Sequence, residues 1–422
     1  MATIEDMPRE TTRVDSEIEN SAESYKLKES KSGPIFGFLF FGFVGLLCFN
    51  FFIQVLSYLG ACYGENFGLL ANIVYGFSNN CGQLLVIFFG SKIPFSSRIY
   101  YSCIALSVIL IAYPVLAIMH PSEATGMTIG LILTFGLGFF NAVLQSAGFG
   151  LAGICNSKTM EFFSIGQAVA GLLPWPLIQL LNVIFTSAGL SVTTDASTGQ
   201  SPVDTATTLT SLALASSVTL ILVPYYKFYL SRSSLVKTAI ENLESVKDSV
   251  AVKGRSKLQI IRDTLPLAFA VWFVLYVTFV VFPSELLTWT PSYGPYPGKF
   301  FYAGMLIYVF QVFDVVGRYL VSVFAINPKR TKLASAFRSF LIPLFFLASY
   351  NTSFFANDIT RILLMAVFAA SNGFILTWCM IHGPGQVNPD ERDVASYIMS
   401  FFLVNGIFFG SLSSLAITKI SK

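Results

Sequence analysis

The chain has 422 residues, of which 54% are hydrophobic and only 12% are charged, and its net charge is +3. Soluble chains carry about 25% charged residues, so this composition excludes an ordinary water-soluble domain. The small positive charge gives no indication of nucleic acid as a partner. We therefore expect a polytopic membrane protein whose main solvent is the lipid bilayer.

The first 33 residues are polar, with eight acidic and five basic side chains and no apolar face. Such a composition cannot bury enough apolar surface to fold, so residues 1–33 are predicted to be a disordered cytoplasmic tail. No cleavable signal peptide is predicted in this tail.

Eleven apolar segments are long enough to cross the hydrocarbon core, which needs about 20 helical residues. Six precede the polar segment 231–263 and five follow it. The sequence predicts an all-α membrane protein with eleven transmembrane helices in a 6+5 arrangement: one half at 34–230, a linker at 231–263 and a second half at 264–422. The predicted spans are 34–59, 68–90, 98–119, 126–152, 160–186, 206–230, 264–290, 300–325, 333–350, 359–381 and 394–418.

The positions of Lys and Arg predict an orientation. If the N-terminal tail is cytoplasmic, 19 of the 26 Lys and Arg residues fall on the cytoplasmic side, three on the opposite side, and four in or at the ends of spans. Short cytoplasmic loops carry an excess of these residues. We therefore expect a cytoplasmic N-terminus and an external C-terminus.

Two segments outside the spans have features of their own. The linker 231–263 is basic, and it fits either a solvated connector that sets topology or a regulatory site. The Asn351 sequon, in "NTS" on the predicted outer face, is a candidate glycosylation site.

Prolines interrupt several predicted spans, including Pro114, Pro174 and Pro224. Each removes a backbone hydrogen bond and bends its helix. Bent helices leave room between them, which fits a carrier better than an inert anchor.

Metal, redox and enzyme chemistry are not indicated. Five of the six cysteines fall in or at the edge of apolar runs, where Cys behaves as a small hydrophobic residue. The two histidines, His120 and His382, are far apart in the sequence, and neither belongs to a cluster of three or more Cys and His residues. The spans carry neither a Ser/His/Asp nor an HExxH arrangement. The sequence therefore predicts no metal, no cofactor and no enzyme activity.

A polar stripe crosses the eighth predicted span, "YVFQVFDVVGRYLVSVF" at 308–324, at Gln311, Asp314 and Arg318. A charge near the bilayer centre costs about 2.5–3.5 kcal/mol on insertion scales. Asp314 and Arg318 are four residues apart, so they lie on one helix face and can pair. Two readings remain open on these grounds: an ion pair that braces helix packing, or the lining of a substrate path.

Amides in other spans add hydrogen-bonding groups at membrane depth. Such amides usually bind neighbouring helices, but a convergent set would suit a neutral solute that forms many hydrogen bonds. The amide residues in the predicted spans are Asn50, Asn72, Asn79, Asn80, Gln83, Asn141, Gln145, Gln167, Asn372 and Asn405.

Several short motifs together resemble one family. "FDVVGR" at 313–318 resembles the FDxxGR signature in the eighth span of the equilibrative nucleoside transporter family. Further motifs similar to those of the family's other spans are "LLCFNFF" (46–52), "AVLQSAGFGLAG" (142–153), "GQAVAG" (166–171), "TFVVFP" (278–283), "SNGFILTWCM" (371–380) and "VASYIMSFFL" (394–403). The resemblance covers residues 34–418.

The resemblance implies a fold related to the major facilitator type, with a central cavity and alternating access. It also implies roles for individual residues. Gln145 matches the family's glutamine that hydrogen-bonds the nucleobase, and Asp314 and Arg318 match the pair associated with the ribose hydroxyls. Phe49 falls where the family usually has a Trp beside the substrate, and Phe282 at a position facing the cavity.

The sequence departs from the family pattern in three places. Cys48 and Phe49 replace Pro and Trp before Asn50, so a kink is lost and a smaller ring faces the site. Gln311 stands where Asn is common, and Cys155 where Pro is frequent. These departures bear on the choice of substrate, so Gln311 is included among the candidate substrate-binding residues.

The sequence thus predicts facilitative transport of nucleosides, with nucleobases as further substrates and purines favoured, by alternating access without ion coupling. A proton-coupled symporter, with Asp314 as the proton-binding group, is one alternative. A non-transporting membrane receptor or scaffold is the other. We expect a monomer in the plasma membrane.

Overall fold

The computed structural model describes residues 32–64, 66–119, 122–193, 201–249, 255–282, 285–286, 289–292, 299–324, 328–349 and 354–420. The predicted tail, except for its last two residues, and Asn351 lie outside the described residues.

Helices make up the regular structure of these residues, and fourteen of them are α-helices. Their bounds are α1 Ser32–Tyr63, α2 Phe67–Phe89, α3 Phe95–Ile118, α4 Glu123–Cys155, α5 Ser157–Leu172, α6 Pro174–Ser187, α7 Pro202–Tyr225, α8 Ser234–Ser249, α9 Lys257–Val281, α10 Lys299–Leu320, α11 Pro328–Phe337, α12 Leu341–Ser349, α13 Asp358–His382 and α14 Arg392–Ile420.

Eleven helical segments are long and apolar enough to cross a membrane within the described part of the chain, which confirms the predicted number. Six lie before α8 and five lie after it. Two of the eleven are each built from a pair of helices, α5 with α6 at Ser157–Ser187 and α11 with α12 at Arg330–Ser349. The other nine contain one long helix each.

The two interruptions have different causes. Between α5 and α6, Pro174 begins the second helix, since proline lacks the N–H that would continue the first. Between α11 and α12 a 3₁₀ turn, Arg338–Phe340, takes over from the α-helix. Pro114, by contrast, lies within the continuous helix α3.

Glycines bring two pairs of helices into backbone contact. A side chain at Gly42 of α1 would meet the carbonyl oxygen of Phe163 in α5. A side chain at Gly373 of α13 would likewise collide with the carbonyl oxygen of Asp314 in α10. Small residues permit this close approach in membranes, and the second contact aligns the polar face of α10 with α13.

The helices before α8 contact those after it through two groups of elements. On one side α14 packs against α2 and α4, and the Asn405 amide donates a 3.1 Å hydrogen bond to Asn80 Oδ1. On the other side α5 packs against α10 and α13. The polar stripe of α10 therefore lies at a boundary between the two parts of the chain.

The linker contains the helix α8, which the sequence analysis did not predict. Val236 and Leu243 on its apolar side are buried, and α8 packs against α4. Near the end of the linker, Lys257 donates hydrogen bonds to the carbonyl oxygens of Ile87 and Phe88, at 3.0 and 2.7 Å. The linker is thus partly packed against the bundle rather than wholly solvated.

Candidate functional site

Asp314 and Arg318 form the ion pair that their spacing predicts. Arg318 Nε donates to Asp314 Oδ2 at 2.9 Å, and both side chains are more than nine-tenths buried. Two opposite charges in contact lower the cost of placing each in a low-dielectric interior. The pair therefore explains how α10 tolerates ionised groups at membrane depth.

A second donor reaches the Asp314 carboxylate from α13. Asn372 Nδ2 donates to Asp314 Oδ1 at 2.7 Å, so each carboxylate oxygen accepts a hydrogen bond. The Asn372 amide oxygen accepts in turn from the hydroxyl of Thr278 in α9, at 2.8 Å. Arg338 donates to this hydroxyl at 3.1 Å, which extends the network to the α11–α12 turn.

Arg318 also contacts the helices that precede α8. Its Nη1 donates to the backbone carbonyl oxygen of Ser164 in α5, at 2.7 Å. Within the described residues Nη2 forms no hydrogen bond, so this nitrogen can still donate to a ligand. The guanidinium thus joins α10 to α5 and keeps a free donor.

Gln311 lies one turn before Asp314 and is half-buried. It packs against Gly171 near the end of α5, where a side chain would strike the Gln311 amide. The long Gln side chain therefore reaches the neighbouring helix, and the absence of a side chain at Gly171 makes room for it.

Gln145 lies in a second polar network, between α2 and α4. Gln83 Nε2 donates to Gln145 Oε1 at 3.4 Å, and the Ser146 hydroxyl donates to Gln83 Oε1 at 2.5 Å. In the described residues no hydrogen bond joins this network to the one around Asp314. Gln145 and Gln83 are both buried.

Phe49 lies beside a further group of polar side chains, one helical turn before Gln83 in α2 and Gln145 in α4. Its ring stacks on Tyr75 of α2, with centroids 4.4 Å apart and an interplanar angle of 20°. The Tyr75 hydroxyl accepts hydrogen bonds from the amides of Asn79 and Asn141, at 3.2 and 2.9 Å. The oxygens of these two amides are buried and have no partner in the described part of the chain. Polar atoms without partners therefore lie next to a half-buried aromatic face.

Phe282 follows the last residue of α9 and packs among other aromatic rings. It stacks on Phe310 of α10, with centroids 4.3 Å apart, and is 6% exposed. Phe368 is a further ring in this apolar cluster. Phe282 is thus held by apolar contacts, among them the ring of Phe310 in α10.

A separate cleft of about 480 Å³ lies between α9 and α11. Its walls are mostly apolar and include Pro266, Phe269 and Lys332, but none of the six candidate residues. Phe269 is 52% exposed, so the cleft opens toward the lipid-facing surface. It is not the predicted substrate path.

Metal binding finds no support in the described residues, which contain no group of three or more His, Cys, Asp or Glu side chains that could hold a metal ion. The site instead offers hydrogen-bond donors and acceptors, a carboxylate and two guanidinium groups. Such a set recognises a ligand by hydrogen bonding and charge rather than by covalent or metal chemistry.

The sequence analysis did not assign site roles to Thr278 and Arg338. Thr278 opens the motif "TFVVFP", and a threonine in an apolar helix usually bonds its own backbone, so it gave no signal. Arg338 did give a sequence signal, because it is an arginine in a predicted span that contains no carboxylate.

The fold is similar to that of transporters of the major facilitator superfamily. Against the proton:xylose symporter XylE the TM-score is 0.61 at 13% identity, covering 92% of this chain and 88% of that chain. Against FucP in the outward conformation it is 0.58 at 14% identity, covering 92% and 91%. The chain is therefore an all-helical integral membrane protein with a major facilitator fold.

Sequence comparison defines the family within that fold. The family model described as "Nucleoside transporter" matches residues 131–419. The chain is 26% identical over 357 residues to equilibrative nucleoside transporter 1 of Rattus norvegicus, covering 78% of this chain and 77% of that protein. It is 24% identical over 402 residues to equilibrative nucleotide transporter 1 of Arabidopsis thaliana, covering 87% and 82%. The chain belongs to the equilibrative nucleoside transporter family, a family of transporters and not of enzymes.

Proposed function

We propose that this protein carries nucleosides across the plasma membrane by facilitated diffusion, favours purines, and also accepts nucleobases. The observation that carries the proposal is the buried pair of Asp314 and Arg318, which lies where α10 meets α5. Ionisable groups at membrane depth are rare and mark substrate pathways. Membership of a nucleoside transporter family supports the substrate class.

The pair suits the hydroxyl groups of a ribose. Each Asp314 oxygen accepts one hydrogen bond and keeps a further lone pair, which a ribose hydroxyl can use as donor. Arg318 Nη2 can donate to the same or a neighbouring hydroxyl. A ribose can thus bind without breaking the Asp314 contacts to Arg318 and Asn372, and the free carrier keeps its charges paired.

The second network suits the nucleobase. An amide such as that of Gln145 can donate and accept at once, which matches the edge of a purine. Phe49, stacked on Tyr75, offers an aromatic face beside it. We assign the base to this side of the site and Gln311 to selectivity, because Gln311 lies on the ribose face and contacts α5.

Transport would proceed by alternating access between the six-span part, 34–230, and the five-span part, 264–422, which the segment 231–263 connects. The contacts of α14 with α2 and α4, and of α10 with α5, are the interface across which the parts would rock. The distribution of Lys and Arg supports a cytoplasmic N-terminus and an external C-terminus. We propose a monomer as the working unit.

The function is tested by uptake of labelled adenosine in a host that lacks its own nucleoside carriers, with competition by a panel of nucleosides and nucleobases. We expect purine nucleosides to compete best. The second measurement is counterflow in proteoliposomes. In a carrier, uptake of labelled substrate is stimulated by unlabelled substrate on the opposite side of the membrane. Saturable binding without such exchange would instead identify a receptor.

Ion coupling is tested by the pH dependence of the same uptake. For uncoupled transport we expect one initial rate between about pH 5.5 and about pH 8, because a neutral nucleoside gains or loses no proton there. An uptake rate that rises with an inward proton gradient, and collapses when the gradient is abolished, would instead establish a symporter.

A further inference from the structure

Arg338 is a buried arginine in the 3₁₀ turn Arg338–Phe340 between α11 and α12, and only 3% of its surface is exposed. Its neighbours Phe337 and Phe340 are 57% and 68% exposed, so the turn directs the guanidinium alone into the bundle. In the described residues Arg318 and Arg361 pair with carboxylates, whereas Arg338 pairs with none. A charge buried in this way is stable only when most of its N–H groups donate hydrogen bonds.

The guanidinium makes four hydrogen bonds to two helices, α9 and α13. Nε donates to the Ser371 hydroxyl at 3.0 Å, and Nη2 donates to the Phe368 carbonyl oxygen at 3.0 Å. Nη1 donates both to the Val274 carbonyl oxygen at 2.8 Å and to the Thr278 hydroxyl at 3.1 Å. Arg338 therefore ties the α11–α12 turn to α9 and α13.

These contacts decide where the single proton of the Thr278 hydroxyl goes. Two acceptors are within reach at 2.8 Å: the Val274 carbonyl oxygen one turn back and Asn372 Oδ1. A threonine in a helix normally takes the first. Arg338 already donates to the Val274 carbonyl and fills a lone pair of the Thr278 oxygen, so the Thr278 proton is directed to Asn372.

The orientation of the Asn372 amide is set from both ends of the network. The Asp314 carboxylate can only accept, so the Asn372 nitrogen faces Asp314 Oδ1 at 2.7 Å, and the Asn372 oxygen then accepts from Thr278. In the flipped orientation two oxygens would face each other at Asp314. Amide orientation follows from such networks, and Arg338 holds the Thr278 end of this one.

We infer that Arg338 is a positioning residue for the substrate-binding carboxylate: through Thr278 and Asn372 it fixes the direction in which Asp314 is presented to a ribose hydroxyl. This inference rests on the proposed function, since it assigns ribose to Asp314. In the described residues Arg338 itself makes no hydrogen bond to the Asp314 side chain. Arg338 therefore affects how well the carrier discriminates between ribose and deoxyribose, and it does so without touching the substrate.

The test compares wild type with Arg338→Gln and Thr278→Val. In each, labelled adenosine uptake is inhibited by adenosine and by its 2′-deoxy and 3′-deoxy analogues, and uptake is divided by surface abundance. We expect wild type to prefer adenosine over at least one analogue by about 5- to 150-fold, as for one lost hydrogen bond. In both variants that preference should fall by about fivefold or more, because Asp314 is no longer held in one direction.

Two control variants separate this effect from loss of stability. Arg361→Gln removes another buried guanidinium, which donates to the carbonyl oxygens of Ala348 and Thr290. Thr264→Val removes a buried α9 hydroxyl that bonds the Ile260 and Ile261 carbonyl oxygens. Both should lower abundance at most and leave the preference for adenosine unchanged. An unchanged preference in Arg338→Gln and Thr278→Val overturns the inference, as does an equal fall in the controls.

A thermodynamic cycle tests the network without any transport assay. The midpoints of thermal unfolding of Arg338→Gln, Asp314→Asn and the double variant, in detergent, give the coupling between the two residues. We expect the double variant to lose clearly less than the sum of the single losses. Additive losses overturn the inference. If wild type takes up no nucleoside, the proposed function fails, and this cycle alone decides whether Arg338 and Asp314 act together.

Discussion

Arg318 donates a hydrogen bond to the carbonyl oxygen of Ser164 at 2.7 Å, and this bond joins a helix that follows α8 to a helix that precedes it. The same guanidinium holds Asp314 through Nε. In the proposed transport cycle, Arg318 therefore links binding to movement, because a rocking motion between α5 and α10 has to break or replace the bond to Ser164. A substrate that bonds to Arg318 is placed to favour that exchange.

The first prediction concerns the ion pair. Asp314→Asn keeps the shape of the side chain but leaves Arg318 buried without a counter-charge. Arg318→Leu likewise leaves the Asp314 carboxylate buried without a counter-charge. Breaking a buried pair costs about 3–5 kcal/mol, and the ribose contacts are lost with it. We expect both variants to abolish adenosine uptake while surface abundance, measured by cell-surface labelling, persists. Normal uptake in both would remove the pair from the site.

The second prediction concerns Gln311 and Gly171. Gly171→Ala places a methyl group against the Gln311 amide, and we expect lower uptake of adenosine. Gln311→Asn shortens the side chain by one methylene and should change the ranking of competing nucleosides. The double variant should regain most of the uptake lost in Gly171→Ala, because the shorter amide clears the methyl group. Failure of this rescue would show that the two residues act independently.

The third prediction concerns the contact between α10 and α13. Gly373→Ala drives a methyl group into the backbone of Asp314, where a rigid helix cannot yield, and overpacking costs about 1–3 kcal/mol. We expect a lower Tm in detergent and reduced uptake. Gly60→Ala in α1 is the matched control, since in the described part of the chain no atom beyond its chain neighbours and its own helix backbone lies within 4 Å of the added methyl group. Its Tm should stay the same or rise, because alanine favours a helix more than glycine does.

The fourth prediction concerns the hydroxyl of Tyr75, the residue whose ring stacks on Phe49. Tyr75→Phe keeps the ring stack but leaves the amides of Asn79 and Asn141 without their acceptor. An unpaired buried donor costs about 1–3 kcal/mol, so the Tm should fall. Tyr101→Phe, at a position 72% exposed, should leave the Tm unchanged. Equal Tm values for both variants would contradict the hydrogen-bonding role given to Tyr75.

The sequence predicted the eleven spans and the pairing of Asp314 with Arg318 because both depend on local rules. A span is read from about 20 apolar residues in succession, and a pair from four residues of separation on a helix. The interruption near Pro174 was predictable for the same reason, since proline acts on its own helix. These features require no knowledge of which helices are neighbours.

The partners of the site residues could not be predicted in this way. Asn372 is 58 positions from Asp314, and Gln83 is 62 positions from Gln145. Each contact depends on which helices pack together and on their rotation, which glycines such as Gly373 decide. The role of Thr278 depends on Arg338 as well, so two long-range contacts have to be known before one hydroxyl proton can be placed.

The charges of the α10 network do not cancel. Asp314 carries one negative charge, while Arg318 and Arg338 carry two positive charges, so this buried network has a net charge of one. If one charge moves through a tenth of the membrane potential during the conformational change, the free energy of that change shifts by about 0.2 kcal/mol per 100 mV. For the proposed uncoupled transport of a neutral nucleoside, this net charge would make the membrane potential bias which side of the carrier is open.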